Sequence, residues 1–258
     1  MRGLFQSHRE YAGAGVLKLM DHHPSPARSV TAAVLQSMVF LNRSEGFEPK
    51  PLPPEAQLSP AFGVSVGDLD GDGVDDLFLA QNFAAFPTDA DRLDAGRGLW
   101  LRGIGKANFT PVKGDEAGLA IHGDQRACAL ADYAADGRLD LVVTQSGGRT
   151  RLFRNNKAKP GLRVRLVGGK LNPDAIGSAA RLHFGQAQEA TTGPWREWQL
   201  GSGYGAQDGL IKVLAMPQPP DTIEVRWPNG KTTRTSLPAG LTGITITPDG
   251  KILEQKSR

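Results

Sequence analysis

Residues 64–82 read VSVGDLDGDGVDDLFLAQN, and the fold follows from how this stretch is read. Counting Asp68 as position 1, carboxylates fall at positions 1, 3, 5 and 9 (Asp68, Asp70, Asp72 and Asp76), and the main-chain carbonyl of Val74 takes position 7. Alternate residues of a tight loop point into one concavity, so this spacing suits a hard cation that takes oxygen ligands. Gly71 and Gly73 supply the backbone freedom that so sharp a turn requires. With Asp75, five acidic side chains crowd into nine residues, and they repel one another unless a counter-ion is present. A solvated acidic turn is the bland alternative, and the regular spacing argues against it.

An EF-hand would need a bidentate Glu at position 12 and a helix after it. Position 12 is Leu79, and Leu77-Phe78-Leu79-Ala80 is a short apolar run bounded by turn signals, the pattern of a buried strand. Val64-Ser65-Val66 reads as a strand on the other side. The expected local structure is strand, calcium loop, strand, with Asp76 closing the site.

The stretch recurs. Val64–Asn82 aligns without gaps on Cys128–Ser146, 64 residues later, matching Asp68 with Asp132, Asp72 with Asp136, Gly73 with Gly137 and Asp76 with Asp140. Position 3 of the second loop is Ala134. It therefore predicts a weaker second metal site of Asp132, Asp136, Asp140 and the carbonyl of Arg138, whose side chain is expected to point outward. Val39-Phe40-Leu41-Asn42, Leu99-Trp100-Leu101-Arg102 and Leu152-Phe153-Arg154-Asn155 form a second recurring element. Its first two copies run into further strands near Phe47-Glu48-Pro49 and Phe109-Thr110-Pro111. A unit of roughly 60 residues holding several short strands is the sequence signature of a propeller blade.

Composition agrees. The chain has 258 residues, 32 Gly and 18 Pro, which suits many short strands and turns. Thirty basic residues face 27 acidic ones, and no compact basic patch interleaved with aromatics stands out, so nucleic acid is a poor candidate partner. Cys128 is the sole cysteine, which excludes an intrachain disulfide; its Ala-Cys-Ala-Leu setting suggests a small buried residue. No apolar run approaches the length of a membrane span. Residues 1–35 are expected to form a poorly defined segment, with a short helix within Tyr11–Met20. Asp21-His22-His23-Pro24 reads as a polar turn rather than a metal site.

A boundary is expected at Asn156–Gly161, dividing 36–157 from 158–258. Beyond it, Leu162–Val167, Ala180–Phe184, Trp195–Leu200, Ile223–Trp227 and Ile244–Ile246 alternate apolar and polar residues, which predicts a small antiparallel sheet or sandwich. His183 falls on the outer face of its strand and receives no ligand role.

Both loops resemble the FG-GAP or VCBS type of calcium-binding propeller repeat, found in integrin α-chains and many secreted bacterial proteins. The resemblance implies an all-β chain that begins as a partial β-propeller of about two blades and carries Ca2+. The second half resembles the ASPIC/UnbV domain that follows such repeats in cartilage acidic protein and its bacterial relatives. Asn172-Pro173-Asp174-Ala175-Ile176-Gly177, Gly201-Ser202-Gly203-Tyr204 with Gln207, and Ile223–Lys231 carry it, in that order. Gly205 and Ala206 depart from its pattern, as does Ile211–Ala215. The blocks also have structural readings, since Pro228-Asn229-Gly230 is a hairpin turn signal.

The chain holds no G-x-S-x-G, P-loop, H-E-x-x-H or Cys–His arrangement, and its clustered aspartates sit at metal-ligand spacing. A non-catalytic, calcium-stabilised binding or scaffold module for a protein or glycan is expected, extracellular or periplasmic. The alternative is an accessory domain of a larger secreted enzyme or biosynthetic system. No signal peptide is legible at Met1–Gly13, so the chain is expected to be the C-terminal part of a longer protein. Two blades leave open sheet edges, which predicts self-association.

Overall fold

The computed structural model describes residues 5–16, 18, 30–85, 92–185 and 191–257. The chain is nearly all β, with small sheets arranged like a partial propeller. Near the N-terminus, α1 spans His8–Ala12 and begins where Ser7 Oγ accepts from Glu10 N at 3.1 Å. This helix starts earlier than expected, because the Ser7 cap precedes Tyr11. The Asp21-His22-His23 turn lies outside the described residues.

β1 (Met38–Arg43) and β2 (Gly46–Pro51) form a hairpin. β3 (Ala61–Gly67), β4 (Asp76–Gln81), β5 (Leu99–Gly103) and β6 (Phe109–Val112) follow as a four-stranded antiparallel meander. β7 (Asp124–Ala131), β8 (Asp140–Ser146) and β9 (Arg151–Phe153) make a second meander of three strands. In both meanders the aspartate-bearing loop is the turn between the first two strands, as the alignment of the two stretches predicts. The register pairs Gly67 with Asp76 in one and Ala131 with Asp140 in the other.

β4 is buried at all six positions, as its apolar run requires, while β3 alternates. The two meanders pack through β3 and β7 because small residues let the backbones close. A Cβ on Gly63 would stand 3.1 Å from Cys128 N, and one on Gly67 would stand 2.7 Å from a Leu130 methyl. Cys128 sits in that seam, accepting from Ser65 Oγ at 3.1 Å, and burial pushes its thiol up to about 11. It is a packing residue, as its sequence setting suggested.

The C-terminal unit contains β10 (Leu162–Leu166), β11 (Ala179–Phe184), β12 (Thr191–Thr192), β13 (Arg196–Glu197), β14 (Lys212–Leu214), β15 (Thr222–Arg226), β16 (Thr232–Ser236), β17 (Leu241–Ile246) and β18 (Ile252–Ser257). One sheet runs β14-β10-β17-β18; the other runs β12-β11-β15-β16, with β13 also on β11. Their inner faces meet in one core that includes Val164, Leu182, Trp198, Ile223, Trp227 and Ile246. Each such large apolar side chain contributes about 1.5–3 kcal/mol on full burial. The expectation of a purely antiparallel sheet is corrected here: β10 and β17 pair in parallel, Val164 opposite Ile244. Period-two alternation reports which face is buried and carries no information on strand direction.

Candidate metal centre

The loop between β3 and β4 is built around Asp68. Its Oδ1 accepts from Gly71 N at 2.7 Å and Asp72 N at 3.1 Å, and its Oδ2 accepts from Gly73 N at 2.9 Å. Asp72 Oδ1 accepts from Val74 N at 2.7 Å, closing a further turn. Gly71 adopts φ +76° with Lys159 O 2.4 Å from where a Cβ would sit, so only glycine fits there. Asp68, Asp70 and Asp76 each bring one carboxylate oxygen within 4.8 Å of the others. Asp72, a further sequence candidate, belongs to the same loop but not to this tight group of carboxylates; Val74, whose carbonyl is the remaining candidate, follows it in the loop.

Asp76 is fully buried. Its Oδ1 accepts from Gly103 N at 2.7 Å; its Oδ2 accepts from Leu69 N at 3.0 Å and from Trp100 Nε1 at 3.1 Å. Burial pushes its carboxyl up to about 6, against the pull of those N–H donors, and burial likewise raises Asp68. Among the described residues, neither Asp68 nor Asp76 has a cationic partner. Arg102 Nε lies 2.9 Å from Asp70 Oδ2, and its NH2 lies 3.6 Å from Glu116. Three converging carboxylates thus share one half-exposed guanidinium. The surplus of negative charge and the all-oxygen donor set fit a hard divalent cation.

The second loop repeats the scaffold and changes the charge. Asp132 Oδ1 accepts from Asp136 N at 2.9 Å and its Oδ2 from Gly137 N at 3.0 Å. Asp140 accepts from Ala134 N at 2.9 Å and Asn155 N at 2.8 Å. Here arginines occupy the neighbourhood. Arg163 pairs with Asp132, whose side chain is fully buried, while Arg138 and Arg154 lie 3.2 and 3.4 Å from Asp136. The Arg138 side chain does not point outward as expected: it folds back, donating from Nε to Ala158 O at 2.7 Å. Asp132, Asp136 and Asp140 form no tight carboxylate group like that of the first loop.

The expected boundary segment is a clamp rather than a free connector. Lys159 N donates to Asp70 O at 3.1 Å and Gly161 N to Gly137 O at 2.8 Å. Asn155 Nδ2 donates to Leu69 O at 2.7 Å and Leu139 O at 3.2 Å. One stretch of seven residues, 155–161, therefore touches both loops and leads directly into β10. Sequence reasoning missed Asn155 and Arg163, because their partners lie far away in the chain. It also left His183 without a partner; its Nε2 lies 2.7 Å from Glu224 Oε2. Burial alone would raise the Glu224 carboxyl, but His183 and Arg181 hold it below its usual range.

No helix among the described residues is long and apolar enough to cross a membrane. No curated protein matches the chain. The family model described as ASPIC and UnbV matches residues 168–252, most of the two-sheet unit that follows the propeller-like meanders.

Proposed function

We propose that this chain is a non-catalytic binding or scaffold module, working outside the cytosol on a protein or glycan, in which calcium at the first loop fixes the frame. The meanders are read as FG-GAP or VCBS repeats on their aligned loops. The observation that carries the proposal is the convergence of Asp68, Asp70 and Asp76 with too little cationic compensation. Asp72 and the Val74 carbonyl complete the donor set. A cation bound there screens the repulsion among the carboxylates. Because Lys159 bonds to the Asp70 carbonyl, it also stiffens the clamp that joins the meanders to the C-terminal unit. In the second loop Arg163 and Arg138 take over part of the cation's charge-balancing role, so any metal there binds weakly. Calorimetric titration of wild type and Asp72→Ala with calcium tests the reading. A clear isotherm in wild type that weakens at least tenfold in the variant, about 1.4 kcal/mol, is expected. Identical weak heats in both overturn it.

A further inference from the structure

The two meanders differ at their outer edge. In the first, β5 is paired on both sides, by β4 and by β6. In the second, β9 pairs with β8, and among the described residues no strand covers its other edge. The registers are equivalent: Leu77 stands opposite Leu101, and the aligned Leu141 stands opposite Phe153. The second meander therefore leaves open the place that β6 fills in the first. A row of unpaired backbone N–H and C=O groups there is a template for one more strand.

The side chains along this edge select its partner. Arg149, Thr150, Arg151, Leu152 and Arg154 are all exposed, Leu152 by 52%. Arg149 and Arg151 have no ion-pair partner among the described residues. The Arg154 guanidinium lies 3.4 Å from an Asp136 that Arg138 already pairs at 3.2 Å. A second copy pairing edge to edge would set these arginines against their like, so the edge repels itself. A strand of opposite charge is attracted instead. Phe153 packs on the core shared by the meanders, and beside it opens a cavity of about 600 Å³ floored by Trp100, Leu119, Leu139 and Leu141. Successive side chains of a strand face opposite sides, so an added strand sends the residue opposite Phe153 toward this apolar cavity and the next toward Leu152. Asp115 and Glu116 also line the cavity, with Arg102 3.6 Å from Glu116, which confines the acidic positions of a partner to the β9 arginines.

We propose that an acidic, extended segment of a protein partner adds to β9 as the fourth strand of the second meander, anchored by an apolar side chain in the cavity. β6 runs antiparallel to β5. The same direction on β9 makes Glu-Leu-Val-Glu-Thr-Glu a complementary sequence, opposite Arg154, Phe153, Leu152, Arg151, Thr150 and Arg149 in turn. Backbone pairing supplies affinity, and the charges and the apolar pair supply register. The proposal rests on the binding-module reading and names its partner as protein.

The test is fluorescence anisotropy of the full chain with a labelled, end-capped peptide of that sequence. Its comparators are a copy with lysine for each glutamate, a copy with proline for the valine, and single-stranded DNA of equal charge. The acidic peptide is expected to bind at least tenfold more tightly than any of the three. Arg151→Glu should weaken it at least tenfold and favour the lysine copy. Lys170→Glu, the same charge change at an exposed site in the C-terminal unit, should change affinity less than twofold. Amide hydrogen exchange over residues 150–154 should slow on binding, which attraction by charge alone does not produce. No binding of the acidic peptide, equal binding of DNA, the lysine copy or the proline copy, full affinity in Arg151→Glu, or unchanged exchange in β9 each overturns the proposal. Calcium titration of the same samples reports on the first loop separately, so failure of the strand site and failure of the cation reading are distinguishable.

Discussion

Replacing Asp68 by Asn keeps the shape of the side chain and removes its charge. In the folded loop the two oxygens of Asp68 accept from three backbone amides, those of Gly71, Asp72 and Gly73. The amide keeps one acceptor and presents a donor in place of the other, so at least one N–H loses its partner, which costs about 1–3 kcal/mol. Against this, a like charge disappears. The carboxylate oxygens of Asp68, Asp70 and Asp76 lie within 4.8 Å of one another. Two unit charges at that distance repel by about 3 kcal/mol at an effective dielectric near 20. The terms are similar in size and opposite in sign, so in chelator the variant should fall within about 2 kcal/mol of wild type. Calcium separates them. At one hundred times its Kd, an ion bound only by the native state adds about 2.7 kcal/mol. Wild type should show that gain, and Asp68→Asn less than half of it. Urea unfolding in calcium and in chelator measures both numbers. Equal calcium-dependent gains in the two proteins would refute the reasoning.

Other consequences concern the buried charges. Burial raises Asp76 from 3.8 to about 6 in the absence of metal, so the folded chain holds this proton longer than the unfolded one. Its contribution is therefore fully present below about pH 4 and is lost as pH rises through 6, by about 3 kcal/mol. Chelated protein should lose stability between pH 4.5 and 6.5 and calcium should flatten that slope; a chelated protein that gains stability over this span contradicts the assignment. Arg163→Met strands the buried Asp132 carboxylate and should cost about 3–5 kcal/mol in urea unfolding. A loss under 1 kcal/mol would show that the pair does not neutralise the second loop.

Much of this was legible in the sequence because it is local. The 1-3-5-9 carboxylate spacing forces a tight turn, and the apolar run after it forces a buried strand, so β3, β4, β7 and β8 with their loops follow from residues close together in the chain. Conversely, the missed features depend on distant partners. Nothing near Arg163 announces Asp132, and nothing near Asn155 announces the Leu69 carbonyl. The parallel pairing of β10 with β17 joins segments about 80 residues apart, and alternation of side chains is the same for either strand direction. The role of position nine was half legible. Asp76 and Asp140 were read as metal ligands, yet each also ties its loop to the strand region beyond, through Gly103 N and Asn155 N.

Terbium luminescence tests the cation site most directly. Trp100 Nε1 donates to Asp76 Oδ2 at 3.1 Å, which places an indole one carboxylate away from the proposed ion. Terbium added to the chelated protein should emit on tryptophan excitation, calcium should displace it, and both Asp68→Asn and Trp100→Phe should abolish most of the signal, although three other tryptophans remain. Emission that is absent from wild type, indifferent to calcium, or unchanged in Asp68→Asn would contradict the account.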